Sequence, residues 1–384
     1  MKVLHLLKTS TGATWALRQL RELVRLGIDV HVALPAGPLI ESYQEYGITT
    51  HILQTAFDAK RPWNNFKRFK DFRILVDVLQ PDIIHSHFVA TTLTMRLALG
   101  KNHAVKRIFH VPGPLHLEHF FFRKMEMLTA GKADYWLASC RWTADAYLRF
   151  GVPVERVGLV YYGVDLDKFT VVERCGLRQE LGLDEDTKII GNVAYFYAPK
   201  KYLGQTRGLK GHEDLIDAIE IVANKHPNVV GVFVGGPWGN AKGYEQEVIS
   251  YAKKKGLGRF FFLGFRDDVQ QLYHDFTISV HPSHSENVGG AVESLLCESP
   301  TIATDVGGFP DLIKPGITGW LVPPKTPEAL AETILEAFEN PEKCQIMVQE
   351  GRKLAEKMFD VRQNANDIFT YYQRLLGHDE LGAI

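Results

Sequence analysis

The stretch "KVLHLLKTSTGATWALRQLRELVRLGIDVHVAL", residues 2–34, contains two short apolar runs separated by one amphipathic segment. The runs at 2–7 and 29–34 have the length of buried strands, whereas residues 15–27 place apolar side chains at helical spacing. A strand, a helix and a second strand in succession build a parallel sheet. The stretch therefore predicts an α/β fold in which helices cover both faces of a parallel sheet.

The same alternation continues in two separate series along the chain. The first series predicts further strands at 82–87, 107–111 and 135–139 and a helix over 69–80. The second series predicts strands at 188–196, 229–236, 259–265, 277–283 and 301–306, with helices between them. Residues 161–176 lack a clean period and are the predicted linker. We predict two Rossmann-like, doubly wound domains that face each other across a cleft and bind ligands beyond the carboxyl ends of their strands.

Length and composition fit this architecture. The 384 residues are enough for two domains, and 45% hydrophobic with 23% charged residues is ordinary for a soluble protein. The first apolar run is too short for a signal peptide, and none approaches the ~18 residues of a membrane span. The four cysteines are far apart without CxxC spacing, which argues against a disulfide framework and favours a reducing compartment.

The charge is distributed unevenly between the two halves. The net charge is −1, but residues 1–170 hold 22 basic and 15 acidic residues, whereas the remainder holds 22 basic and 30 acidic ones. A positive half and a negative half indicate two domains with different partners.

The segment "SENVGGAVESLL", residues 285–296, places Glu286 and Glu293 seven positions apart with two glycines between them. It follows a predicted strand, and a helix is expected to begin near Val288. A helix N-terminus offers unpaired N–H groups to an anion, and seven residues span about two turns, which puts both carboxylates on one face. Carboxylates accept hydrogen bonds from sugar hydroxyls. The segment predicts a site for a sugar nucleotide, and two solvated glutamates on an ordinary helix are the alternative.

The surrounding sequence resembles a known family. Residues 263–324, from "LGFRDDV" to "GWLVPP", resemble the donor-binding half of glycosyltransferase family 4, whose members are retaining enzymes of the GT-B fold with a Glu-x7-Glu signature. The segments "KGHEDLIDAI" (210–219), "YYGVDLDKF" (161–169) and "LLKTSTGATWALRQL" (6–20) extend the resemblance over nearly the whole chain. It implies a donor site formed by Gly12, Arg207, Lys210, Gly235, Arg266, Glu286, Asn287, Val288, Gly289, Gly290 and Glu293.

The resemblance also implies individual roles. Glu293 would bind the ribose and Glu286 the hydroxyls of the donor sugar, while backbone N–H groups of residues 287–290 hold sugar and phosphate. His110, which closes a predicted strand, would form a hydrogen bond with the donor sugar. The loop 263–269 would contact the base, with Arg266 either stacking on it or lying on the surface.

The departing diphosphate requires positive charge. We expect no Asp-x-Asp metal motif anywhere in the chain and therefore no metal and no other cofactor, so fixed cations take that task. Lys210 matches the phosphate lysine of the family. An insertion disturbs the position of the family's arginine, so Arg207 is the first choice and Lys200 or Lys201 the rival. His110, Arg207, Lys210 and Glu286 are the predicted catalytic residues. The histidines of 85–87 and 281–284 lack the clustered ligand pattern of zinc.

The first half also carries a candidate acceptor and membrane face. Residues 59–73 interleave six basic residues with four aromatic ones, and residues 119–124 add three phenylalanines beside two cations. Such mixtures suit an anionic lipid surface, although a solvated helix with buried aromatics is the alternative. The predicted residues of this face are Lys67, Arg68, Lys70, His116, His119 and Phe120. No RNP or KH signature supports a nucleic-acid partner.

The sequence thus predicts a retaining, metal-independent glycosyltransferase. Its donor is expected to be a UDP-sugar and its acceptor a glycan or lipid-linked intermediate of surface polysaccharide or glycoconjugate synthesis. The predicted domains are 1–170 for the acceptor and 171–360 for the donor, with a C-terminal helix at about 360–384 crossing back to the first. We expect a cytoplasmic protein, with peripheral attachment at the inner face of the plasma membrane. A sugar-nucleotide isomerase of the 2-epimerase type and a non-catalytic sugar-nucleotide binding protein are the alternatives.

Overall fold

The structure, a computed structural model, describes residues 1–169, 175–201, 204–256 and 258–377. These residues divide into two compact domains. The first consists of residues 1–165 together with 358–377, and the second of residues 166–357. The first division falls inside the segment predicted as a linker, of which residues 170–174 lie outside the described residues.

The first domain is built on one parallel sheet, as the alternating pattern predicts. Its described strands are β1 (Lys2–Leu6), β2 (Asp29–Leu34), β3 (Thr49–Ile52), β4 (Ile83–Ser86), β5 (Lys106–His110), β6 (Asp134–Ala138) and β7 (Val157–Leu159). They pair in the order β3-β2-β1-β4-β5-β6-β7. The order reverses between β1 and β4, which is where doubly wound sheets bind ligands.

Helices cover this sheet between its strands. They are α1 (Thr14–Arg25), α2 (Ile40–Glu45), α3 (Asn64–Leu79), α4 (Val89–Leu99), α5 (Leu115–Glu118), α6 (Phe120–Thr129) and α7 (Arg141–Arg149). On α1 the side chains of Ala16, Leu20 and Leu23 repeat at helical spacing and are fully buried. This apolar stripe explains why the segment forms a helix on the sheet.

The second domain repeats the arrangement. Its described strands are β8 (Lys188–Val193), β9 (Val229–Val234), β10 (Phe260–Gly264), β11 (Ile278–His281), β12 (Thr301–Thr304) and β13 (Trp320–Val322), which pair in the order β10-β9-β8-β11-β12-β13. Its helices are α8 (Leu177–Glu180), α9 (His212–Ala223), α10 (Lys242–Lys255), α11 (Val269–Asp275), α12 (Ala291–Leu296), α13 (Phe309–Leu312), α14 (Pro327–Glu339) and α15 (Pro341–Phe359). The order reverses between β8 and β11. The prediction of two Rossmann-like domains is confirmed.

The last described helix, α16 (Val361–Leu376), belongs to the first domain. Its buried residues Ile368 and Tyr372 share one apolar cluster with Leu20 and Leu23 of α1. Asp360 caps α16 by accepting a hydrogen bond from the backbone N–H of Arg362 at 2.9 Å. The C-terminal segment therefore completes the core of the domain formed by the N-terminal half.

Three short strands were absent from the sequence prediction. β3, β7 and β13 have three or four residues each and form edges of the two sheets. Edge strands are buried on fewer sides, so their apolar pattern is weak. In the described part of the chain no helix combines the length and the apolar character needed to cross a membrane.

Candidate active site

A pocket of about 460 Å³ lies at the carboxyl ends of β8, β9 and β10 in the second domain. The first residues past each of these strands form its wall, and the start of α12 closes it. It lies beside the point where the strand order reverses, where parallel sheets bind their ligands. Its lining residues are Val193, Ala194, Tyr195, Tyr197, Lys210, Val234, Gly235, Phe265, Arg266, Asp267, Val269, Gln270, Gly289, Gly290 and Glu293.

Lys210 and Glu286 meet at this pocket. The Lys210 ammonium group donates to the Glu286 carboxylate, and both side chains are largely buried. Lys210 has three N–H donors, so this contact leaves donors for a second anion. An ammonium group that is already held beside a ligand pocket needs little reorganisation when the reaction occurs. It is therefore suited to stabilising a leaving phosphate.

The backbone imposes this pairing. Gly211 follows Lys210 with a φ of +67°, and a β-carbon there would lie 2.0 Å from the carbonyl oxygen of Pro282. Only glycine fits such a close approach in the left-handed region. In addition, the backbone N–H of His284 donates to the carbonyl oxygen of Leu209 at 2.8 Å. The segment before α9 is thereby fixed against the segment that carries Glu286.

Glu286 is held from several sides. Its carboxylate accepts the backbone N–H of Asn287 at 3.0 Å and the Ser283 hydroxyl at 3.4 Å, besides the Lys210 ammonium. A β-carbon on Gly289, whose φ is +43°, would lie 2.9 Å from the same carboxylate. The first glycine of the pair therefore makes room for Glu286. The N–H of Asn287, predicted to hold the donor, bonds to Glu286 in this structure.

The helix in this segment begins later than predicted. α12 starts at Ala291 rather than near Val288, and Glu286 lies in the preceding loop. The expectation of two carboxylates on one helical face is therefore wrong, although Glu293 on α12 does line the pocket. Six residues separate the two glutamates, one fewer than in the Glu-x7-Glu signature. Val288, a residue of this loop, is buried.

Arg207 lies outside the pocket. Its guanidinium group binds Asp214 and Asp217, and it lines a separate polar depression beside α9. Burial alone would lower the pKa of Arg207, but the hydrogen bonds to Asp217 and Asp214 outweigh it and raise that pKa. The structure thus brings Lys210 but not Arg207 to the predicted diphosphate position. Lys200 and Lys201, the rivals, are exposed, and Tyr202 and Leu203, which follow them, lie outside the described residues.

Replacing Arg207 with alanine is expected to lower the transfer rate only slightly. Its charge is already neutralised by two aspartates away from the pocket. The loss should be far below the roughly 10²–10³-fold expected when an electrostatic donor at a leaving group is removed. Steady-state kinetics check this, and a loss as large as that of Lys210→Ala would return Arg207 to the diphosphate.

The region predicted for the base differs from expectation in one residue. Arg266 lines the pocket, but its guanidinium bonds Asp268 at 2.6 and 2.8 Å and Glu180 at 2.7 Å, and these bonds raise its pKa. Phe265 is 65% exposed and lines the same pocket. Tyr195 lies beside it, with ring centroids 5.8 Å apart. These rings were not predicted from the sequence, because aromatic residues at strand ends resemble core residues.

The expectation that the chain contains no Asp-x-Asp motif is wrong. This spacing occurs at residues 165–167 and 184–186. Asp165 is buried and bound by Arg21 at 3.2 Å, and Asp186 accepts a hydrogen bond from Asn228 at 2.7 Å. Neither lines the pocket described above.

In the first domain, His110 ends β5 with a fixed tautomer. Its Nε2 lies 3.0 Å from the carbonyl oxygen of Val160, which only accepts, so Nε2 carries the hydrogen. Nδ1 is buried and has no hydrogen-bond partner among the described residues. The ring stacks on Tyr162 at 4.0 Å, and burial lowers the pKa of His110 to about 3. His110 therefore presents a neutral acceptor nitrogen, which suits a hydroxyl donor and not proton storage.

The remaining predicted residues are distributed over the first domain. Gly12 lies in the turn between β1 and α1. His116 is buried, with Nε2 3.1 Å from the Tyr147 hydroxyl, so the expectation that it shapes an open acceptor pocket is not supported by its position. His119 is half-buried beside Phe122, and Phe120 is 65% exposed.

Helix α3 has an exposed side and a buried side, and each carries both aromatic and basic residues. Lys67 and Lys70 are exposed together with Phe66, which is 79% exposed. Arg68 instead turns inward and binds Asp58 at 3.3 Å and the carbonyl of Ala56. The prediction that Arg68 belongs to the exposed basic face is therefore wrong.

Two family profiles match the chain. The profile described as "Glycosyltransferase Family 4" matches residues 12–168, and that described as "Glycosyl transferases group 1" matches residues 178–354. Together they cover most of both domains. The chain belongs to glycosyltransferase family 4. Lys210 and Glu293, which the resemblance assigns to the donor, both line one pocket, and Glu286 forms an ion pair with Lys210 beside it.

Individual relatives agree with this assignment. The chain is 33% identical over 187 residues to a D-inositol 3-phosphate glycosyltransferase of Mycolicibacterium gilvum, a match that covers 48% of this chain and 39% of that protein. It is 26% identical to the Bacillus subtilis protein EpsD, named as a glycosyltransferase, over 91% of this chain and 90% of EpsD. The crystal structure of Anabaena HepE in complex with UDP-glucose has a TM-score of 0.80 at 21% identity, covering 97% of this chain and all of that one. The GT-B fold prediction is thereby confirmed.

Proposed function

We propose that the protein transfers a sugar from a UDP-sugar to a hydroxyl group of a glycan or lipid-linked acceptor, with retention of the anomeric configuration. The contact of Lys210 with Glu286 at the wall of the pocket carries this proposal. The HepE structure with UDP-glucose supports UDP as the nucleotide. We assign the reaction to the synthesis of surface polysaccharide or another glycoconjugate.

Each residue then has a distinct task. Glu293 accepts hydrogen bonds from the ribose hydroxyls, and Glu286 accepts them from the donor sugar. Lys210 neutralises the diphosphate as the bond between C1 of the sugar and the phosphate oxygen breaks. The acceptor oxygen forms the new bond to C1 on the same face. Its proton passes to the departing phosphate oxygen, so the reaction needs no separate protein base.

A thermal-shift comparison of nucleotide sugars tests the donor assignment. UDP-sugars should raise the melting temperature more than the ADP-, GDP- or CMP-linked sugars, because a ligand that binds only the folded state stabilises it by mass action. Stabilisation by another nucleotide sugar but not by UDP-sugars would contradict the proposal. Release of UDP that depends on an added acceptor distinguishes transfer from isomerisation and from simple binding.

Transfer is expected to persist in excess EDTA. Lys210 supplies fixed positive charge at the pocket, so no divalent cation is needed to stabilise the diphosphate. The initial rate of UDP release should be the same with EDTA and with Mg²⁺. Loss of activity in EDTA that Mg²⁺ restores would contradict metal-independent transfer.

We also propose that the first domain attaches to anionic membranes through the exposed face of α3. This face combines Trp63, Phe66, Ile74 and Val78, each at least half exposed, with the exposed cations Lys67 and Lys70. Apolar side chains flanked by lysines are typical of surfaces that bind the interface of a bilayer. The excess of basic residues in the first half of the chain also favours attachment through the first domain.

Reversing Lys67 and Lys70 to glutamate should abolish vesicle binding. Each basic residue near an anionic surface contributes about 1 kcal/mol, so two reversals should weaken binding on the order of 10²–10³-fold. Co-sedimentation with vesicles containing phosphatidylserine measures the effect, and added salt should release the unmodified protein. Lys253→Glu with Lys254→Glu, two exposed positions on α10 of the second domain, is the matched control. If the unmodified protein fails to bind at low salt, the attachment proposal is wrong.

A further inference from the structure

Three histidines stack inside the first domain. His5 on β1, His85 on β4 and His87 just after β4 are fully buried, and we call them the histidine cluster. Their ring centroids lie 4.8 Å apart for His5 and His85, 4.5 Å for His85 and His87, and 5.3 Å for His5 and His87. The pairing of β1 with β4 places His5 directly opposite His85. The cluster is thus fixed by two neighbouring strands of the sheet.

Each histidine has one ring nitrogen that lies close to a ring nitrogen of each of the other two. These three nitrogens lie within 4.8 Å of one another, and His5 Nδ1 is 3.0 Å from His87 Nε2. Zinc–nitrogen bonds of 2.0–2.1 Å in a tetrahedron separate two ligands by roughly 3.3 Å. In addition, His85 Nε2 is buried without a partner among the described residues. The spacing and the unpartnered nitrogen both fit a bound cation.

Two tyrosines hold the outer nitrogens. The Tyr162 hydroxyl donates to the carbonyl of His110 at 3.2 Å, so it accepts from Nδ1 of His87 at 3.1 Å. Since Nδ1 carries the hydrogen of the neutral ring, Nε2 of His87 has a free lone pair. Nδ1 of His85 lies within hydrogen-bond distance of the Tyr372 hydroxyl. Metal-binding histidines commonly have their second nitrogen held in this way, which fixes the tautomer and the ring orientation.

We infer that His5, His85 and His87 form a buried binding site for a divalent transition-metal cation such as Zn²⁺. Imidazole nitrogens select such cations over Mg²⁺ or Ca²⁺. Binding requires His5 to move its proton from Nδ1 to Nε2, where the Tyr372 hydroxyl oxygen lies 3.5 Å away. No net proton or electron is exchanged. The cation would join β1 to β4, and it has no part in the sugar transfer proposed for the pocket of the second domain.

This site was not predicted from the sequence, because its three histidines do not form a local motif. The pair at 85–87 lacks a third ligand nearby in sequence, because His5 lies 80 residues earlier and reaches the pair through strand pairing.

Metal analysis of tag-free, full-length protein tests the site. After removal of metals with a chelator, the protein is incubated with Zn²⁺, desalted and measured by atomic emission. We expect one zinc per chain and a higher melting temperature with zinc. With Co²⁺ we expect ligand-field absorption without the sulfur charge-transfer bands that cysteine ligands would produce.

Variants identify the ligands. His85→Gln should weaken Zn²⁺ binding by at least about 100-fold, and Tyr162→Phe, which keeps all three ligands, by roughly 10–100-fold. The matched control is His31→Gln with His51→Gln, another stacked pair whose nitrogens lie 3.0 Å apart; it should bind zinc unchanged. Absence of bound zinc, or unchanged affinity in both His85→Gln and Tyr162→Phe, would overturn the inference. If circular dichroism shows that His85→Gln does not fold, Tyr162→Phe decides.

Discussion

Replacing Lys210 with alanine is expected to slow sugar transfer by roughly 10²–10³-fold, the loss typical of one preorganised electrostatic donor. Lys210 lines the pocket, and its ammonium is held by Glu286. Since the charge acts on the departing diphosphate, the loss should appear in kcat. UDP binding should weaken less than kcat falls, because Glu293 and the base region remain.

Initial rates of UDP release measure this effect. Lys255→Ala is the matched control, because Lys255 also forms ion pairs, with Glu220 at 2.7 Å and Asp217 at 3.2 Å, but lies outside the pocket. Its rate should stay near that of the unmodified protein. A Lys210→Ala variant with an unchanged rate would remove Lys210 from the reaction.

Replacing Glu293 with alanine is expected to weaken UDP binding by on the order of 1.5–3 kcal/mol, or roughly 10–150-fold. The ribose loses a charged hydrogen-bond acceptor at the wall of the pocket. Glu286→Ala should have the opposite profile. It removes the partner of Lys210 and the acceptor for the donor sugar, so turnover falls while UDP binding stays within a few fold.

Calorimetry with UDP separates the two glutamates. Glu332→Ala, an exposed position on α14 away from the pocket, is the matched control and should bind UDP normally. If Glu286→Ala lost UDP affinity while Glu293→Ala kept it, the two assignments would be reversed.

The sequence predicts this fold well because its strong signals come from buried elements. β2 occupies the predicted residues 29–34, and β8 to β12 all lie within predicted runs. β13, with three residues at a sheet edge, lacks a comparable signal. Burial on both faces produces a continuous apolar run, whereas a short edge strand does not.

The candidate site was predictable where local sequence fixes the backbone. Gly211 allows the close contact with Pro282 that brings Lys210 to Glu286. The ion-pair partners of Arg207 and Arg68 could not be predicted from the sequence. A long side chain can reach several carboxylates, and its partner depends on where the folded loops place them. For Arg207 those carboxylates are Asp214 and Asp217, which both lie in the first two turns of α9.

Histidine burial was the other gap. The sequence does not distinguish His116, which packs in the core beside Tyr147, from a residue of an open pocket. In contrast, the contact between His5 and His85 could have been predicted from the order of the strands. A sheet that reverses its order between β1 and β4 makes these two strands neighbours.

The anomeric configuration of the sugar released from the donor tests the central claim most directly. Glycosyltransferases hydrolyse their donors slowly when water replaces the acceptor, so proton NMR of a UDP-α-sugar incubated with concentrated enzyme needs no knowledge of the acceptor. If attack occurs on the face that the diphosphate leaves, the α-anomer of the free sugar appears first and converts to the β-anomer only by mutarotation. A retaining transfer predicts this order. Initial appearance of the β-anomer would contradict a retaining transfer in this pocket.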